Sequence, residues 1–254
     1  KSIPSSSCLQ TISGRLFSIM TYGDNRKERV QYIRKLNDLI EVLYAAQEGR
    51  GFIDHFSDWI KGQPDNANKE GFLFLCCLYQ LGIPNLTKPL FRNALVSNGI
   101  QLDMPGFLRQ YADLIQVENN RLQLRCSRLL WASTQKQTDP IHTLSWIKAT
   151  VILLAKNLHE REETIQNEVF QKLIKTKSLH RQMKIPTTSV MNLLLELEPS
   201  CKHLSYYWVQ RGICHRELEH FEEANNAFSQ AAIIRNNTSF HVKHAQAKNY
   251  MACS

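Results

Sequence analysis

Glycine and proline are scarce in this sequence, with 10 Gly and 8 Pro among 254 residues. That scarcity excludes collagen-like and linker-type chains and leaves long stretches free to run as helix. Cysteines with metal-ligand spacing are missing too. The 7 Cys are an odd number without recurring spacing, and no Cys-x-x-Cys occurs, which argues against a disulfide framework and a structural zinc site. Cys76-Cys77 and Cys214 fall in helical patterns and read as reduced core thiols of a cytoplasmic protein. No signal peptide is present, and the longest apolar run, residues 72–78, is far too short to span a bilayer. Neither a Gly-x-x-x-x-Gly-Lys-Ser/Thr loop nor a strand followed by paired acids occurs, so no catalytic, cofactor-binding or metal-binding residue is expected in this chain. The chain opens on Lys1 and not on Met, as a fragment would.

What is there is a hydrophobic fraction of 43% and a formal net charge of +8. The first supports packed cores rather than disorder. The second suits acidic partners, yet the cations are scattered. The run 26–29 is interrupted by Glu28, and 172–177 is diluted by apolar residues. Solubility is therefore the expected role of the charge, and neither a membrane nor nucleic acid is the expected partner.

Along the chain, residues 1–27 are Ser-rich and irregular. Val30, Ile33, Leu36, Ile40, Leu43 and Tyr44 then form one apolar helical face, and a second helix over 52–59 completes a small helical domain at 28–66. The segment 67–135 reads as three helices, at 70–81, 88–96 and 105–112, followed by a hairpin over 114–125. Asn119-Asn120 tolerates the positive φ of a tight turn there. Three helices followed by a two-stranded wing resemble a winged helix. After a polar linker, Asp139-Pro140 has the form of a helix start. The pattern continues to about 179 with a break near Glu160, breaks again at 184–186, and runs from Thr187 or Thr188 to 197, where Pro199 ends it. Two helices fill 205–234 and a last one begins near Phe240. The expected fold class is mainly α: a helical domain and a winged helix with one β-hairpin, followed by repeated α-hairpins over 139–254.

The clearest repeat is 205–238. Trp208, Gly212, Ala224, Phe228 and Ala231 stand at its fourth, eighth, twentieth, twenty-fourth and twenty-seventh places, with Phe221 at an aromatic position of the inter-helix turn. This window resembles a tetratricopeptide repeat, in which small residues let two helices approach and aromatics fill the space around them. His215 departs from the usual Tyr and Asn236 from the usual Pro. Ala247 and Tyr250 look like the small and aromatic positions of a following repeat. The resemblance implies protein binding, with the first helix of the pair lining a groove through Tyr206, Val209, Gln210, Ile213, Arg216 and Glu217.

The order of helical domain, winged helix and repeat array resembles the region that follows the NTPase core in STAND-class signalling NTPases. That resemblance implies a cytoplasmic sensor of a protein ligand, with ATP bound in an upstream domain, homo-oligomerisation on activation and a role such as antiviral defence. Arg125 and Arg128 are then the residues nearest to a nucleotide phosphate. Two alternatives remain: a stand-alone adaptor, and a winged-helix transcription regulator placing Arg109 and Gln110 on bases and Arg121 on phosphate. His215 and His220 share a helical turn region, and His241 and His244 sit three apart on one face, a spacing at which two His can bind a metal, but no third ligand is in view. Cys214 and His215 point apart on a helix, so a nucleophilic pair is not expected.

Overall fold

The computed structural model describes residues 52–83, 86–124, 138–158, 164–235 and 240–253. The chain divides into two compact units, Lys1–Asp65 with Cys126–Gln137, and Asn66–Arg125 with Thr138–Ser254. One helix of the first unit is described, α1 (Phe52–Gly62). It buries Phe56 and Ile60, and the Phe56 ring lies 4.9 Å from that of Trp59. The segment 1–27, most of the expected helical domain, Arg125, Arg128 and Asn236 lie outside the described residues.

The second unit opens on α2 (Ala67–Gln80), where the Asn66 side chain accepts from the N–H groups of Asn68 and Lys69. Gly71 to Leu78 are buried without interruption, as suits a helix that is apolar on every side. Then come β1 (Leu86–Thr87), α3 (Lys88–Ser97), α4 (Met104–Gln110), β2 (Ile115–Glu118) and β3 (Arg121–Leu124). Thr87 caps α3 by accepting from Leu90 N–H at 3.4 Å, and Asp103 caps α4 by accepting from Gly106 N–H at 3.0 Å. Asn119 and Asn120 have φ of 48° and 62°, the two left-handed residues that a two-residue hairpin turn requires.

The sequence pattern predicts one hairpin; the sheet has a third strand. β1 pairs antiparallel with β3, giving the order β1-β3-β2. The Tyr79 hydroxyl of α2 accepts from Leu124 N–H at 2.8 Å and donates to the Leu122 carbonyl at 2.9 Å, which ties β3 to the central helix. Helix, strand, helix, helix, hairpin is the order of a winged helix. Its core is aromatic: Tyr111 stacks on Phe72 at 4.5 Å and meets Phe107 at 5.2 Å.

Asp139 starts α5 (Pro140–Ala155) as expected, accepting from Ile141 N–H at 3.1 Å with Pro140 in the first turn. The stretch to 179 is three helices, not two: α5, α6 (Ile165–Leu173) and α7 (Thr176–Met183). Lys184, with φ of 57°, closes α7. α8 (Thr187–Cys201) runs through Pro199 instead of stopping before it. Proline there removes the bond to the Leu195 carbonyl and crowds that carbonyl, a disturbance confined to the last turn of the helix. Leu195 is on the exposed side of the helix, at 44% exposure, where water can take the lost partner's place. α9 (Ser205–Glu217), α10 (Phe221–Ile234) and α11 (Phe240–Cys253) follow, with Glu219 at φ of 63° between α9 and α10.

Of the segment expected as a winged helix, 67–125 belongs to the second unit together with 138–254, while 126–135 falls in the first. Trp146 of α5 is 2% exposed, and its ring lies 5.5 Å from Phe74 of α2. Asn98, at the end of α3, donates to Thr150 Oγ1 at 3.2 Å and to the Trp146 carbonyl at 3.4 Å.

Candidate functional site

The α9–α10 hairpin is built on a close approach. A Cβ added at Gly212 would lie 2.6 Å from Cδ1 and 2.8 Å from Cζ of the Phe228 ring, so only glycine leaves room for that ring. Ala224, Phe228 and Ala231, spaced four and three apart on one face of α10, are each 0% exposed. They share a cluster with Val209 of α9 and with Val242 and Ala245 of α11; Trp208, Ile213 and Ala232 pack on its edge. Trp208 also donates its ring N–H to the Lys202 carbonyl at 2.8 Å and lies under the Arg211 guanidinium, 5.1 Å away. Phe221 starts α10, and its carbonyl accepts from Asn249 of α11 at 2.9 Å. The residues read from the sequence as repeat-packing thus occupy the helix contact, with Phe221 at its turn end.

The opposite side of α9 rests on the preceding helices. Tyr207 donates its hydroxyl to the Leu194 carbonyl at 2.8 Å, and Arg211 pairs with Glu198 at 2.5 Å. This packing divides the residues expected to line a groove. Val209 and Gln210 do not line an open groove: they are buried, at 8% and 5% exposure. Val209 sits in the cluster above. Gln210 accepts from Thr176 N–H at 3.0 Å, while its carbonyl accepts from the Thr176 hydroxyl at 3.1 Å. The expectation failed because α7 and α11 cover two sides of α9, leaving a narrower open strip. Tyr206, Ile213 and Arg216 are half-buried and Glu217 is exposed. Burial pushes the Tyr206 hydroxyl up to about 12, and Arg216 donates to the Ala245 carbonyl at 3.4 Å.

The winged-helix residues are differently placed. Arg109 and Gln110 are exposed at the end of α4, and Gln110 accepts from the Asn68 side chain at 2.5 Å. Arg121 is on β3, the middle strand, in register with Glu118 on one side and Thr87 on the other. A carboxylate directly across the ladder weakens its use against phosphate.

The His215 and His220 rings lie 6.0 Å apart. Burial, and next the Arg211 cation, lower the pKa of His215, whose buried Nδ1 has no hydrogen-bond partner. His241 and His244 are exposed, and the His244 ring stacks on Phe240. Among the described residues no group of three or more His, Cys, Asp or Glu could hold a metal ion. Burial pushes the thiols of Cys77, Cys201 and Cys214 up to about 12, so none is an activated thiolate at neutral pH. No helix among the described residues is long and apolar enough to cross a membrane.

Two features were not read from the sequence. Glu70 of α2 faces α5, where His142 Nε2 lies 3.2 Å and Trp146 Nε1 3.4 Å from its Oε1. On α11, Phe240, Tyr250 and Met251 are 75%, 61% and 79% exposed, while Val242, Ala245 and Asn249 are buried. At 100° per residue the two sets fall on roughly opposite sides of the helix. The first feature joins residues 72 and 76 positions apart in sequence, beyond the reach of any local pattern. The second was partly visible in the spacing of Ala247 and Tyr250. Comparison with protein-family models, curated proteins and solved structures finds no match for the chain.

Proposed function

We propose that this chain is the non-catalytic, protein-binding regulatory segment of a STAND-type signalling NTPase, in which the repeats receive a protein ligand and the winged helix relays its presence. The observation that carries this reading is the shared seam between the two parts: Trp146 against Phe74, Asn98 on Thr150, and Glu70 facing His142 and Trp146. A relay needs contiguous packing between the element that senses and the element that responds. The exposed side of α11 adds apolar area of the kind that marks protein contacts. In this account ATP binds in a domain upstream of the chain, oligomerisation follows release of the winged helix, and the setting is cytoplasmic, with antiviral defence as the role.

The test is the reading frame upstream of Lys1. The proposal predicts a Gly-x-x-x-x-Gly-Lys-Ser/Thr loop and a strand with paired acids in the preceding few hundred codons. An initiation codon at or just before Lys1 would overturn it and leave the stand-alone adaptor. The chain by itself is expected neither to bind nor to hydrolyse ATP, as read by nucleotide-binding calorimetry and phosphate release.

A further inference from the structure

Between Glu168 and Glu196 the sequence has no Asp or Glu, while Lys172, Lys175, Lys177, Arg181 and Lys184 lie within that span. Read linearly, apolar residues dilute these cations. Folding sorts them. Leu173, Ile174, Leu179, Met183 and Ile185 are buried at 6% exposure or less, whereas Lys175, Lys177, Arg181 and Lys184 are all exposed. Lys177 and Arg181 are four apart, one above the other on the outer face of α7, with Lys175 at its start and Lys184 at its end. Four positive charges thus line a helix about 12 Å long.

The nearby acids are engaged elsewhere. Glu168 pairs with Lys172, Glu196 with Lys148 and Glu198 with Arg211. Glu217, on the last turn of α9, is exposed, and among the described residues no ion pair joins it to Lys175, Lys177, Arg181 or Lys184. The lysine closing α7 is also held in the left-handed region, with φ of 57°, a conformation unfavourable for a residue with a side chain.

We propose that the outer face of α7 binds the phosphate backbone of nucleic acid, independently of sequence. Protein-binding surfaces are anchored by aromatic or apolar residues and are depleted of lysine. None of the exposed large hydrophobic residues falls within 169–194. No exposed Phe, Tyr or Trp offers a platform for base stacking there, and the exposed ring of His180 is tied to the Ile185 carbonyl at 3.0 Å, so the contact is to phosphates, and its affinity comes from counterion release. This surface is distinct from Arg109, Gln110 and Arg121, and the inference does not rest on the function proposed above.

The test is fluorescence anisotropy with labelled duplex DNA and duplex RNA of one sequence, across a salt series. Four phosphate contacts predict a log–log salt slope of roughly −3 to −4, and affinity about 10²-fold weaker at about 200 mM than at about 50 mM salt. Both duplexes bind alike. The triple variant Lys177→Glu, Arg181→Glu, Lys184→Glu loses at least about 10²-fold in affinity, and the milder Lys177→Gln, Arg181→Gln, Lys184→Gln loses most of the slope. A control triple with the same change in net charge at exposed lysines outside α7, Lys156→Glu, Lys202→Glu, Lys243→Glu, stays within roughly threefold of the parent if phosphates contact α7 directly. No binding at low salt, or equal losses in the α7 and control variants, would overturn the proposal. So would tighter binding of polyglutamate than of either duplex, which would assign the face to an acidic protein.

Discussion

Gln210 illustrates how residue type misleads without burial. On a helix face it looks like a groove-lining contact; in the fold its side chain completes the N–H of Thr176, itself 0% exposed. Gln210→Ala leaves that donor orphaned, and a buried unsatisfied group costs about 1–3 kcal/mol. A urea midpoint unchanged by the substitution would mean the contact is not made. His215 gives a pH signature. Burial and Arg211 favour the neutral ring in the fold, so the unfolded chain takes up this proton more readily than the folded one. Stability from this group is full above the ordinary 6.5 and falls as pH drops from there toward the lowered folded value. The urea midpoint of the parent should fall more between about pH 7.5 and about pH 5.5 than that of His215→Tyr, the residue usual at this position of the repeat; equal falls would remove His215 from the account. Thiol labelling is a third readout. Exposed Cys253 reacts in the native state, while Cys76, Cys77, Cys201 and Cys214 are protected by burial and react only on unfolding, as peptide mass mapping would show.

At the scale of elements, the α9–α10 hairpin was legible because its geometry is written in residue size. Gly212 and the alanines are small where helices touch, and Phe228 is large where the gap must be filled. Gly212→Ala forces the Phe228 ring aside and should cost about 1–3 kcal/mol; Phe228→Ala should cost about 3–5 kcal/mol. Gly212→Ala combined with Phe228→Leu should destabilise less than the sum of the single variants, whereas strict additivity in denaturant titrations would place the two residues apart. The Asn119-Asn120 turn was equally legible, since few residues accept two positive φ angles in succession. β1 was not, because two residues are too few to show alternation. The break between α6 and α7 was hidden because no Gly or Pro marks it, and Leu173, Ile174 and Leu179 beside it are all buried. Pro199 misled because a proline in the last turn, with only Ser200 and Cys201 after it in the helix, leaves few residues to unseat.

At the scale of the molecule, the winged-helix order and the repeats could be read as separate stretches, but their union could not. Trp146 and Asn98 make their contacts across long separations, and the seam exists only once α5 packs beside α2 and α3. On that seam rests the claim that sensing and response are mechanically joined. Native-state hydrogen exchange of Trp146→Ala tests it most directly. A buried Trp truncated to Ala costs about 3–5 kcal/mol. If the two parts open as one unit, the slowest amides of β3, including Leu124, lose protection by roughly 10²- to 10³-fold together with those of α5 and α8. The contrary result is wild-type protection in α2 and β3 while α5 and α8 exchange faster, which would make the winged helix and the repeats independent bodies and leave the relay without a physical path.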